Sequence, residues 1–281
     1  NIHLLFLFFL FTIYLRKKEK DMFLGDKGKP SKYHTIRKNY YLIIDNERMT
    51  INKLVTKLGF YSVRFDQKIN EREIVYDTDA KLLTGVGLNL RKKTVPGRTY
   101  FSLVRVNNLT SSQQLREKKS FLGECDPSDE PSDFPTQIAE EINNIFNNLF
   151  TVNLVDIVKH TTPYIDIEIR GNRYKIVSGT GYEMTASFED LKIRDVRTGR
   201  KGKKRIFSLK MEDDPNYEME REHVDGIIAR YCKELAPVNK NRFEIAESVV
   251  KIRELSPEEI KKQKEEMKER KKKKKNTEEE E

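Results

Sequence analysis

Arg91 and Lys93 stand two residues apart in a stretch of alternating apolar residues, so a strand there points both cations to one face. Arg105 alternates with Val104 and Val106 on the next such stretch. Pro96-Gly97 lies between them, a good reverse-turn pair, so segments 86–94 and 99–106 are expected to pair as β strands. Adjacent antiparallel strands that point cations the same way make a place for a multiply charged anion. Lys159 and Lys175 are candidates of the same kind on later segments, from alternation alone. The other reading of such a pattern is a solvated outer face of a sheet.

The elements that must hold these residues are short and β-rich. Strands are expected at 36–44, 60–66 and 71–77, with a helix at 51–58 capped by Thr50 and ended by Gly59. Asp77 or Thr78 can cap the turn in which Leu82, Leu83, Val86 and Leu88 pack down. Residues 107–136, rich in Ser, Asp, Pro and Asn, read as a surface insertion, and Pro135 then starts a helix over 136–149. Further β segments are expected at 151–159, 163–170, 173–178, 182–194 and 204–212. Turns at Gly171-Asn172, at 178–181 and at 198–202 separate them, and a helix follows over 215–235. About eight antiparallel strands with helices around them suggest an α+β chain whose sheet closes as a small barrel, wide enough for one ligand.

The chain has 281 residues and a formal net charge of +9, with 37% hydrophobic and 35% charged residues. That balance fits one domain, 35–250, with charged appendages, and it favours anionic partners. The two cysteines, Cys125 and Cys232, have no metal-type spacing and suggest a reducing compartment without disulfides. Residues 1–34 combine an apolar run, ending before Arg16-Lys17-Lys18, with a polar linker. The run is shorter than the roughly 18–20 residues that span a bilayer. It reads either as the end of a membrane anchor with a basic cytoplasmic flank or as sequence upstream of a start at Met22; both leave the domain cytoplasmic. Residues 251–281 form a charged tail. Its helix from Ser256-Pro257 has nothing to bury, and it offers at most a weak RNA or membrane-surface contact. No Gly-rich phosphate loop, nucleophile elbow or Cys-x-x-Cys occurs, so P-loop, hydrolase-triad and zinc chemistry find no support. His34 and His160 have no partner histidine at ligand spacing and read as ordinary polar residues.

Tyr76-Asp77-Thr78, the Leu-rich turn, Gly87-x-x-Leu90-Arg91-x-Lys93 and the basic strand after it resemble the CYTH superfamily, the triphosphate tunnel metalloenzymes. Weaker similarities follow at Asp190–Ile193, Thr198-Gly199-Arg200 and Arg205–Glu212. Pro237 to Phe243 resembles the family's closing Pro-x-x-Lys segment, and the likeness covers about residues 35 to 247. It implies a closed antiparallel β-barrel that binds a triphosphate or polyphosphate with Mg²⁺ or Mn²⁺ and hydrolyses it by metal-assisted attack of water. It also implies Lys38 and Lys240 as phosphate ligands beside Arg91 and Lys93.

The departures fall on the metal side. The family's first-strand Glu-x-Glu-x-Lys stands here as His34, Ile36 and Lys38, and its later Glu-x-Glu as Ser208 and Lys210. Glu73, Glu168, Glu183 and Glu212 are the remaining strand carboxylates, with Glu183 and Glu212 the candidate metal ligands. Two functions stay open: a metal-dependent triphosphatase, or a catalytically degenerate module that binds polyphosphate, nucleotide or RNA.

Overall fold

Alternation on β segments and 3.6-residue periodicity between them produce nine strands and six helices among the residues that the computed structural model describes, 34–43, 47–108, 115–146, 152–212 and 215–251. The first half runs β1 (His34–Ile43), α1 (Glu47–Lys57), β2 (Ser62–Asp77), α2 (Leu82–Gly85), β3 (Leu88–Val95), β4 (Arg98–Asn108) and β5 (Leu115–Cys125). The second half runs α3 (Pro135–Phe146), α4 (Leu154–Lys159), β6 (Thr162–Val177), β7 (Glu183–Asp195), β8 (Lys201–Glu212), α5 (Glu218–Tyr231), β9 (Leu235–Val238) and α6 (Arg242–Val250). The strands form one antiparallel α+β sheet in the order β5-β4-β3-β2-β6-β7-β8-β1-β9, one strand more than expected. An additional antiparallel pairing joins β5 to β1, from His34↔Lys119 to Lys38↔Leu115.

Helices cover much of the outer face. Leu54 and Leu58 of α1 and Val224 and Ile228 of α5 pack on Phe188, Phe207 and Leu209; Ile138 and Ile142 of α3 pack on Leu90, Phe101 and Leu103. On the inner face Val75, Ile165, Ile167, Leu191, Ile193 and Ile206 meet Phe243, Ala246 and Val250 of α6. No helix of the described residues is long and apolar enough to cross a membrane. The apolar run at 1–15 and the expected tail helix lie outside the described residues.

Several expectations change for identifiable reasons. Residues 151–159 end in helix α4, because the Asn153 side chain accepts from the N–H groups of Val155 and Asp156. Part of the expected surface insertion is strand β5, and the two expected halves of β2 and of β6 are continuous strands. Gly171 makes no turn. A Cβ there would sit 1.9 Å from the Phe188 carbonyl oxygen, so β6 and β7 approach too closely for any side chain. Thr50 lies inside α1 and donates to Glu234 at 2.8 Å instead of capping.

Asp77 does cap. It is buried and accepts from the N–H groups of Thr78, Leu83 and Thr84 at 2.7, 3.0 and 3.0 Å, and from the Thr84 hydroxyl at 2.6 Å. These bonds fix α2 against the end of β2. Asp77→Ala is therefore expected to destabilise the protein by about 2 kcal/mol, since it removes a charged cap with four donors. Thermal unfolding reads this as a fall in Tm of roughly 4–8 °C, and an unchanged Tm would deny the cap its role.

Candidate anion-binding site

Antiparallel register decides which cations share a face. Glu73 stands opposite Lys93 and Val75 opposite Arg91, while Arg91 stands opposite Ser102 and Lys93 opposite Tyr100. Positions 71, 73, 91, 93, 100 and 102 therefore all belong to the inner face. Tyr100 pairs with Glu124 and Val104 with Lys119, which brings Lys119 of β5 to the same side. Lys38 and Ser208 belong to it through β1 and β8, and Ser187, Glu189 and Arg173 through β7 and β6.

Arg242, at the start of α6, reaches the middle of this surface. Its Nε and Nη2 donate to the two oxygens of Glu189 at 2.8 and 2.7 Å, and its Nη1 donates to Glu73 Oε2 at 2.9 Å. Ser208 adds a 3.2 Å bond to Glu189. Glu71 is held by Lys93 at 2.7 Å and by Arg173 at 3.1 Å. Arg91 Nη1 lies 2.8 Å from Glu73 Oε1, an ion pair too poorly aligned for a hydrogen bond. Arg91 is 6% exposed, and its Nε and Nη2 have no hydrogen-bond partner among the described residues.

Among the described side chains, six cations of this cluster, Lys38, Arg91, Lys93, Lys119, Arg173 and Arg242, thus face three carboxylates, Glu71, Glu73 and Glu189. Glu71 and Glu73 are held ionised. Burial would raise Glu73, but Arg91, Arg242, Lys93 and Lys38 hold it far below the usual range. Burial likewise opposes Glu71, and Lys93, Arg242 and Arg173 bring it down. Arg242 is buried too, yet Glu189 and Glu73 keep it well above its ordinary value. Lys119 is compensated only in part. Burial first and then Lys93 push its ammonium down to about 7; Glu73 pulls the other way, and Arg91 and Lys38 add smaller pushes. Its Nζ lies 5.4 Å from the centre of the Tyr100 ring.

Of the expected ligands, Lys38, Arg91 and Lys93 meet here and the others do not. Arg105 stands opposite Leu88, on the outer face, and its Nη1 donates to the Ile145 carbonyl of α3 at 3.4 Å. Lys159 ends α4, exposed, and Lys240 is exposed between β9 and α6; Arg242, two residues on, occupies the inner position. Lys175 pairs with Glu183 at 2.9 Å at the edge of the polar region. That edge opens into a cleft of about 380 Å³ lined by Glu183, Thr185, Lys210 and Tyr217, among others. Glu168 lies on the outer face, 3.7 Å from Lys192. The side chains of Glu212 and His34 are not among those described, and His160 Nδ1 sits 2.7 Å from the Asp156 carbonyl at the end of α4.

The residues present do not fit a divalent ion on this surface. Each of its three carboxylates is taken by Arg or Lys, and among the described residues no three Asp, Glu, His or Cys side chains converge as a metal site. Sequence reasoning missed Glu71, Glu189, Lys119, Arg173 and Arg242. The legible signal was Glu71-Arg72-Glu73, two carboxylates on one face of a strand beside the Arg91–Lys93 strand.

No family model and no curated protein matches the chain. Among solved structures it is similar to a candidate adenylyl cyclase from Hippeastrum described as having a dominant triphosphatase activity, at 14% identity over 79% of this chain and 98% of that one, with a TM-score of 0.49. A candidate adenylate cyclase from Bacillus halodurans is 10% identical over 74% of this chain and 95% of that one, with a TM-score of 0.39. The Mimivirus capping enzyme triphosphatase is 8% identical over 75% and 93%, with a TM-score of 0.33.

Proposed function

We propose that this chain binds a triphosphate or polyphosphate anion on its inner face and is a divergent relative of the triphosphate tunnel metalloenzymes. In this reading the β1–β5 pairing closes eight strands into a barrel around the site. The observation that carries it is Arg91, a buried guanidinium with two donors unsatisfied among the described residues, in a cluster whose described side chains include more cations than carboxylates. Unsatisfied buried donors are costly, and phosphate oxygens supply both the acceptors and the missing negative charge. Binding without turnover is the preferred form of the proposal, because the carboxylates that might hold Mg²⁺ or Mn²⁺ are committed to arginine and lysine. The second form, metal-assisted hydrolysis of the terminal phosphate, needs Glu212 or another carboxylate beyond this cluster.

Arg91→Ala should weaken tripolyphosphate binding by roughly 1.5–3 kcal/mol, the scale of a charged hydrogen bond. Calorimetry on wild type and variant measures this, and equal affinities would remove the inner face as the site. Phosphate release with Mg²⁺ or Mn²⁺ on the same preparation separates the two forms: turnover on the order of 1 s⁻¹ or faster favours the enzyme.

A further inference from the structure

One area of the outer face has no helix over it among the described residues, and there the sheet places like charges side by side. Lys192 stands directly opposite Lys203, and Arg194 directly opposite Lys201, on adjacent rungs of the β7–β8 hairpin. All four side chains are exposed. Like charges directly opposite on antiparallel strands oppose pairing, so two such rungs in succession weaken the hairpin that carries them. Acids relieve only the β7 side: Arg194 meets Asp166 at 2.9 Å, shared with Arg72, and Lys192 meets Glu168 at 3.7 Å. Lys201 and Lys203 make no ion pair among the described residues.

We infer that this β7–β8 face is a second anion site, separate from the inner face, that takes the phosphate backbone of a nucleic acid. Side chains two residues apart on a strand are about 6.6–6.8 Å apart, and neighbouring strands about 4.8 Å. The four cations therefore form a grid whose long spacing is comparable with that of successive phosphates along a nucleic-acid strand. Ile193, between the two β7 cations, and Leu191 just before them are buried on the inner side, so the grid offers neither an apolar wedge for a bilayer nor an aromatic platform for bases. Contacts of this kind read charge and not sequence.

The test uses the full chain, a labelled mixed-sequence RNA oligonucleotide and the double variant Lys201→Gln/Lys203→Gln. Wild type should bind with an affinity that falls steeply with salt. The variant should bind more weakly, with the log–log salt slope reduced by about 1.4, or about 0.7 for each single-strand phosphate that is no longer neutralised. Its Tm should not fall, since the change removes like-charge repulsion, and its tripolyphosphate affinity should be unchanged. An unchanged slope would overturn the inference and put any RNA contact elsewhere, as in the basic tail. Absence of RNA binding by wild type would overturn it too. So would loss of binding to phosphatidylserine vesicles with RNA binding intact, which makes the face a membrane contact.

Discussion

Arg242→Leu is expected to cost the fold about 3–5 kcal/mol, the largest effect of any single change in the site. The guanidinium holds Glu189 through two hydrogen bonds and Glu73 through one, all buried. Its removal leaves Glu189 with only the Ser208 hydroxyl and Glu73 with only the poorly aligned Arg91, both away from water, and the cost is the stranding of Glu189 more than the loss of attraction. The same logic predicts rescue. Glu189→Gln in the Arg242→Leu background should recover much of the lost stability, because the carboxylate left without an ion pair is then neutral while Glu73 keeps Arg91. Urea unfolding of the three proteins checks both parts. An Arg242→Leu domain as stable as wild type would mean that the cluster is solvated and the inner face wet.

Lys119→Met should act with opposite signs on stability and on binding. In the ligand-free protein it removes a half-buried ammonium that sits among Lys93, Arg91 and Lys38, so stability at neutral pH should rise by about 1–3 kcal/mol. Tripolyphosphate affinity should fall, because the bound anion is what offsets that charge. The pH dependence follows from the depressed value of about 7 in the fold, against 10.5 ordinarily. Between those values the unfolded chain binds a proton that the folded one does not, so this group makes stability rise with pH across the window. The penalty is full below about pH 7 and gone above about 10.5, so the variant's advantage should shrink along the same path. Unfolding of both proteins from pH 6 to pH 10 tests it, and a constant difference would mean that Lys119 titrates like a surface lysine.

Of the cation cluster, what alternation could give was parity; Lys38 came from the family resemblance, and the Asp77 cap from its side chain ahead of the turn. Arg91 and Lys93 were placed together because a strand alternates, which holds whatever the neighbours are. Arg105 failed for want of register. Across the β3–β4 pairing Arg91 meets Ser102, so the face carrying 91 and 93 continues onto 100, 102 and 104, and position 105 falls behind it. No local pattern reveals that offset. Lys119 was hidden because β5 is charged on its way through the cationic interior, and a charged stretch after an Asn- and Ser-rich segment looks like a loop. Lys240 was displaced in favour of Arg242 by two residues at the entry to α6, a helix short enough to leave little periodicity. Strand 151–159 was lost to a single asparagine cap.

The packing of α6 on the inner face sets a polarity of use. Phe243, Ala246 and Val250 fill the apolar part of that face, while the anion site and the neighbouring cleft occupy the rest. A polyphosphate bound as proposed would therefore have only the polar part of that face to lie on, around Arg91 and Arg242. Chain length beyond what those cations can reach would add little affinity, so the ligand would be read by its charge over a few phosphates and not by its total length.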